Sequence, residues 1–181
     1  MSDLFTRNRV IGLAVALFIA ASDQITKWLV AGPLGLVEQG DKMDLLPFFD
    51  LNRVHNYGIS LGMLQATNME MRWLLVGFTA IIALVVAVWM MREKLLGDIL
   101  GLSLILGGAI GNIWDRASIG YVLDFADFHI GDFRPFLVFN IADAAITIGV
   151  VIILARSLLM REKDESETDA ADETATIPSE N

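Results

Sequence analysis

The stretch WLLVGFTAIIALVVAVWMM, Trp73–Met91, runs for nineteen residues without a charge. That length is close to the ~20 apolar residues a helix needs to cross the hydrocarbon core of a bilayer. Three more stretches of similar length flank it. Val10–Ala31 is interrupted by Asp23, Gln24 and Lys27; Leu95–Trp114 carries Asp98 near one end and Asn112 near the other; Val138–Leu159 carries Asn140 and Asp143 near its start and Arg156 near its end. The pattern predicts an all-α membrane protein with four transmembrane helices, spanning about 10–31, 73–91, 95–114 and 138–159 within a single membrane domain of residues 1–161.

Composition agrees. Of the 181 residues, 55% are hydrophobic, high for a soluble domain of this size. The formal net charge of −9 is concentrated in residues 162–181, where eight acids face one base. That segment lacks large apolar residues apart from Ile177, so it cannot bury enough surface to offset its ordering entropy. It is expected to be a disordered acidic tail. The chain has no cysteine, which excludes thiol catalysis, disulfides and thiolate metal sites. Its two histidines, His55 and His129, stand in different segments and offer no His-Glu-x-x-His zinc site.

Arg7, Arg9, the apolar run from Val10 and the small residues at Ala20-Ala21-Ser22 resemble a cleaved signal peptide. Three more spans follow, and no soluble domain, so the stretch is read as a retained helix. Arg7, Arg9, Arg92, Lys94, Arg156, Arg161 and Lys163 all fall on one side of a four-span arrangement. The positive-inside rule makes that side cytoplasmic, with both termini there. Asp23 and Lys27 then lie in the outer half of span one, Asn112, Asp115 and Arg116 at the outer end of span three, and Asn140 and Asp143 at the outer end of span four. Asp143, five residues past Val138, is expected about 8 Å deep. Ionisable groups are costly in lipid and usually mark function, and these converge on one level.

Between the spans, residues 32–71 contain turn-rich and alternating pieces (Leu34–Glu38, Gly40-Asp41, Leu45–Leu51, Asn56-Tyr57-Gly58) that read as short strands on the membrane surface. In the second outer loop, Val122–Phe128 is expected to form a short amphipathic helix at the interface. Gly97/Gly101 and Gly107/Gly111 in span three fit the small-xxx-small spacing of close helix contacts.

Asp143, a carboxylate inside an apolar helix, is the strongest single signal of chemistry; its structural alternative is a carboxylate satisfied by another span. A second carboxylate beside it, in a partly dry site, would let the two share one proton. The ionised member then activates water while the protonated one donates to the departing nitrogen. Asp23, Asp115, Asp124, Asp127 and Asp132 are all candidate partners, and spacing does not choose among them. Asp23 and Lys27, one turn apart, read as an i,i+4 ion pair. A Ser/Lys pair using Ser22 or Ser60 with Lys27 is the nucleophilic alternative. Asp115 beside Arg116 reads as a structural ion pair, and Asp127 and Asp132 as solvated charges.

Four blocks resemble the lipoprotein signal peptidase (signal peptidase II) family over roughly residues 20–150: Asp23-Gln24-Ile25-Thr26-Lys27; Asn56-Tyr57-Gly58-Ile59-Ser60-Leu61-Gly62; Gly107 through Arg116, running on through Gly120, Val122, Asp124 and Phe125; and Phe139-Asn140-Ile141-Ala142-Asp143-Ala144-Ala145-Ile146. The resemblance implies that Asp124 and Asp143 are the catalytic pair, supported by Asp23, Lys27, Asn56, Asn112, Arg116 and Asn140. It implies an aspartic endopeptidase, without metal or cofactor, that cuts diacylglyceryl-modified prolipoproteins just before the lipidated cysteine. The enzyme would be a monomer in the bacterial inner membrane, with its site at the outer face, contacting membrane lipid and no nucleic acid. Many family members carry a Trp shortly before the Phe-Asn pair, where this chain has Pro135-Phe136-Leu137-Val138. Two other classes compete. A proton-coupled transporter using Asp23, Lys27 and Asp143 would need polar residues across the whole bilayer, and a non-enzymatic assembly factor leaves the Asp124 and Asp143 blocks unexplained.

Overall fold

The computed structural model describes residues 6–58 and 68–175, with side chains described as far as Leu159. Four long helices, α1 (Arg7–Ala31), α2 (Met69–Arg92), α3 (Leu96–Ser118) and α4 (Ile141–Ala175), alternate with three short strands, β1 (Lys42–Leu46), β2 (Phe49–Asn56) and β3 (Val122–Phe128). All four helices are long and apolar enough to cross a membrane. Leu17, Phe18, Leu74, Ile81, Leu84, Val151 and Leu154 are exposed on them, as expected of surfaces that face lipid.

α3 is the central helix and packs against α1, α2 and α4. Lipid gives apolar helices no reason to associate, so close backbone approach has to supply the contacts. Glycine permits it here. A Cβ on Gly107 would sit 2.5 Å from the Ala16 carbonyl oxygen of α1, and one on Gly108 would collide with the Ala142 carbonyl of α4. Ile99, Leu102 and Leu106 of α3 interlock with Ala16, Ala83, Val86 and Met90.

The sheet caps one end of the bundle in the order β1-β2-β3, antiparallel throughout. Its inner side packs Val30, Leu36, Leu51, Phe125 and Ala126 together at the end of α1. Residues 122–128 form a strand and not the expected interfacial helix. The physical reason is partnering: β3 pairs with β2 on one edge, and Phe139 exchanges backbone hydrogen bonds with Ala126 on the other. Six of its seven residues are buried, so no lipid-facing stripe exists.

The expected strands of the first outer loop are present as β1 and β2. The fourth helix starts at Ile141, later than expected, because 138–140 run alongside β3. At its other end the helical backbone is described as far as Ala175. Alanine and glutamate, good helix formers, recur there.

Candidate active site

The end of α1, the end of α3, the start of α4 and the adjoining strands β2 and β3 each deliver a polar side chain to one place. Asp124 is central. It lies on β3, 2% exposed, with Asn140 Nδ2 donating to its Oδ1 at 2.7 Å and Asn56 Nδ2 donating to its Oδ2 at 3.0 Å. These donors favour the charged carboxylate, but burial opposes it more strongly, and the charge of Asp143 adds to the burial. The Asp124 carboxyl is pushed up to about 7.

Asp143 sits in the first turn of α4, half-buried, and accepts from Asn112 Nδ2 at 2.8 Å. Its own backbone N–H donates to Asn140 Oδ1 at 2.9 Å, a side-chain cap of the helix start. Asn140 therefore touches both aspartates, one through each end of its amide. Its placement follows from the pairing of Phe139 with β3, which fixes the next residue beside Asp124.

Beneath the two aspartates lies a buried charged group. Lys27 Nζ is 2.7 Å from Asp23 Oδ2 and 2.7 Å from Asp115 Oδ2, and it donates to Asn112 Oδ1 at 3.4 Å. The expected Asp23–Lys27 pair is present; the expected Asp115–Arg116 pair is not. Adjacent residues on a helix point about 100° apart, so Asp115 turns toward α1. Arg116 instead donates to the Gly58 carbonyl at 2.9 Å and lies within electrostatic reach of Asp143, Asp124 and Asp115. Gln24 completes the group by donating to Asp115 Oδ1 at 2.8 Å.

The structure thus gathers Asp23, Lys27, Asn56, Asn112, Arg116, Asp124, Asn140 and Asp143. The four other carboxylates considered as partners for Asp143 are placed otherwise. Asp23 and Asp115 are engaged by Lys27. Asp127 is not solvated: it is fully buried, accepts from Asn52 at 3.2 Å and pairs with Arg134 at 3.2 Å. Asp132 is exposed, as expected. The Ser/Lys alternative loses its base, because Lys27 donates to two carboxylates and an amide and makes no bond to Ser22; Ser60 lies outside the described residues. The polar residues cluster at one end of the bundle. At the far end, Arg156 pairs with Asp98 at 2.6 Å and closes off that side.

Sequence reasoning missed Gln24 and the bridging role of Asp115. It also missed a cluster on β2: Arg53 donates to His55 Nε2 at 3.0 Å, and His55 stacks on Tyr121 with ring centres 3.9 Å apart. Burial, followed by the Arg53 charge, lowers the His55 pKa, so this imidazole is a neutral structural element next to Asn56. An apolar cavity of about 330 Å³ opens beside Asn140, walled by Phe48, Phe49, Phe125, Phe128, Phe139 and Ile141.

The chain is similar to known proteins over most of its length. Residues 15–159 match the family described as Signal peptidase (SPase) II. The lipoprotein signal peptidase of Rhizorhabdus wittichii is 53% identical over 162 residues, covering 90% of this chain and 94% of the relative. That of Sphingopyxis alaskensis is 53% identical over 152 residues, covering 84% and 87%. That of Caulobacter vibrioides is 42% identical over 158 residues, covering 87% and 92%. A solved bacterial membrane enzyme superposes with a TM-score of 0.72 at 29% identity, covering 87% of this chain and 90% of its own.

Proposed function

The chain belongs to the signal peptidase II family, and from that premise we propose that it is an aspartic endopeptidase that removes the signal peptide from diacylglyceryl-modified prolipoproteins. The observation that carries this reading is the placement of Asp124 and Asp143 around a single amide, Asn140. The charge of Asp143 acts on Asp124, and two carboxyl groups coupled in this way in a partly dry site hold one proton between them. Burial assigns that proton to Asp124 near neutral pH.

The chemistry then follows. Asp143, the more open of the two, removes a proton from a water molecule as that water attacks the scissile carbonyl carbon. A tetrahedral oxyanion forms. Asp124 gives its proton to the amide nitrogen, the C–N bond breaks, and the carbonyl oxygen regains its double bond. The products are a signal peptide ending in a carboxyl group and a lipoprotein beginning with the amino group of the lipidated cysteine. The proton taken by Asp143 returns the pair to its starting state. Arg116, within electrostatic reach of both aspartates, offsets the negative charge that builds up.

The location of the site supports a lipid-anchored substrate. It lies at the junction of lipid-facing helices and a surface sheet, where such an anchor meets water. The apolar cavity beside Asn140 offers an adjacent seat for an apolar segment of that substrate. In this reading both termini are cytoplasmic, the site faces outward from the bacterial inner membrane, and the enzyme acts as a monomer without a cofactor.

The test is to incubate the purified protein with a diacylglyceryl prolipoprotein and with the same protein lacking the lipid, following both by gel shift. Cleavage of the lipidated form alone is expected. Equal cleavage of both would sink the proposed substrate class.

A further inference from the structure

Asp23 and Asp115 are related in a way the dyad mechanism does not use. Each pairs with Lys27 at 2.7 Å through one carboxylate oxygen. Each also accepts one backbone N–H, and the two N–H groups have matching places in the chain. Asp23 Oδ1 accepts from Ala142 at 3.0 Å, the residue immediately before Asp143. Asp115 Oδ2 accepts from Leu123 at 3.1 Å, the residue immediately before Asp124. All three side chains are almost fully buried, with Asp23 at 0%, Lys27 at 4% and Asp115 at 4% exposure.

We infer that Asp115, with Asp23 and Lys27, is a positioning residue that fixes the distance between the two dyad carboxyls. This rests on the aspartic reading above. α4 and β3 come from opposite ends of a long loop, and of the contacts between them, those at Phe139 and Asn140 also depend on local strand geometry. The Lys27 group is independent of the loop. It refers both backbones to α1 and α3, which are packed together through glycine. Leaving a buried ammonium and two buried carboxylates in an apolar bundle is a weak source of stability, since desolvation offsets much of the attraction. Its use is geometric: the Asp23 and Asp115 oxygens hold the Ala142 and Leu123 N–H groups in place, and misplacement of reacting groups by about 1 Å is enough to lose on the order of 100-fold in rate.

The geometric role separates from a purely electrostatic one by two substitutions. Asp115→Asn removes the charge but keeps a carbonyl oxygen in place for Leu123; its new N–H₂ group meets the Gln24 carbonyl only when that side chain turns over and gives up its bonds to Asp23 and Gly111. Asp115→Glu keeps the charge and the Lys27 partner but pushes the acceptor outward by a methylene. kcat and KM are measured for lipidated substrate per folded enzyme, the folded fraction being taken from size-exclusion chromatography in detergent. The expected result is that Asp115→Asn stays within about fivefold of the parent in kcat, while Asp115→Glu falls by about 30-fold or more, both with KM within twofold. A kcat for Asp115→Glu equal to or above that of Asp115→Asn overturns the inference, as does a loss carried by KM in either variant. Asp124→Asn in the same assay serves as the control on the underlying reading. If it cleaves normally, the dyad assignment fails; if it is inactive while the Asp115 order is reversed, only the positioning role fails.

Discussion

Asn140 Nδ2 donates to Asp124 Oδ1 at 2.7 Å, the shortest hydrogen bond that the Asp124 or Asp143 carboxylate receives among the described residues. The same side chain caps the helix that bears Asp143. Asn140→Ala therefore removes a donor from one aspartate and a cap from the other. Hydrogen bonds to charged groups are worth about 1.5–3 kcal/mol, so kcat should fall by about 10- to 150-fold. The Asn140 bond also lowers the Asp124 pKa. Its loss should move the alkaline limb of the rate profile upward in pH, and a profile displaced downward would contradict the assignment.

The pH dependence of the parent enzyme follows from Asp124. With its carboxyl at about 7, Asp124 loses its proton as pH rises through that value, and the proposed dyad loses its acid. kcat should fall about tenfold per pH unit above it. Stability carries the opposite view of the same shift. The folded pKa lies above the unfolded value of 3.8, so the folded state binds the proton more tightly. The resulting stability is fully present below about pH 4 and is lost as pH rises to about 7. Melting temperatures in detergent should decline over that window, and the decline should be shallower in Asp124→Asn.

The four spans were legible because a bilayer allows few alternatives to a ~20-residue apolar helix. The polar ends of those spans were legible for the same reason, since charges are rare in lipid. Val122–Phe128 was not. A strand covered on both faces shows no alternation, and Asp124 and Asp127, three residues apart, imitate the polar face of a helix. The pairing of Lys27 with Asp115 across 88 positions depends on how α1 meets α3, and no local pattern in either helix announces it. The choice of Asp124 from among the candidate partners came from family resemblance; the strand pairing that presents it is a non-local property.

Asp127 tests the distinction between a buried carboxylate and a catalytic one. It is fully buried, but it is paired with Arg134 and with Asn52. Asp127→Ala leaves Asn52 without its acceptor and should lower stability by about 1–3 kcal/mol. Arg134 is 45% exposed and regains water, which limits the loss. kcat per folded molecule should remain within about threefold of the parent. A thermal melt together with a cleavage assay checks both halves.

Orientation rests on the bases at Arg7, Arg9, Arg92, Lys94, Arg156, Arg161 and Lys163. A reporter fused after Asn181 that works only in the cytoplasm should be active. Deletion of residues 162–181 should leave cleavage unchanged, because α4 runs away from Asp143 at its start and the segment lies past its apolar part. A reporter active only outside the cytoplasm would reverse the proposed topology, and a strong loss on deletion with normal insertion would give the tail a role.

The dyad itself is the decisive case. Asp124→Asn and Asp143→Asn should each abolish cleavage while the protein inserts and folds. Asparagine keeps the size and much of the hydrogen bonding of the carboxylate but cannot exchange the proton, so neither the base step nor the acid step operates. At Asp124 the surrounding donors are Asn56 and Asn140; Asn140 is held by its cap of α4, and Asn56 can turn over to accept from the new N–H₂ group in exchange for its bond from Gly58. Removing a raised carboxyl from a buried site also relieves desolvation, so Asp124→Asn should melt at or above the parent near pH 7. The double variant should be no less active than either single one, because groups that act as a unit are not additive. Asp132→Asn, at an exposed position, is the matched control and should cut normally. Lipidated substrate in detergent or liposomes is the required assay. If Asp124→Asn and Asp143→Asn both retained parental rates there, the aspartic mechanism would be wrong; if only Asp124→Asn did, Asp143 would have a different partner.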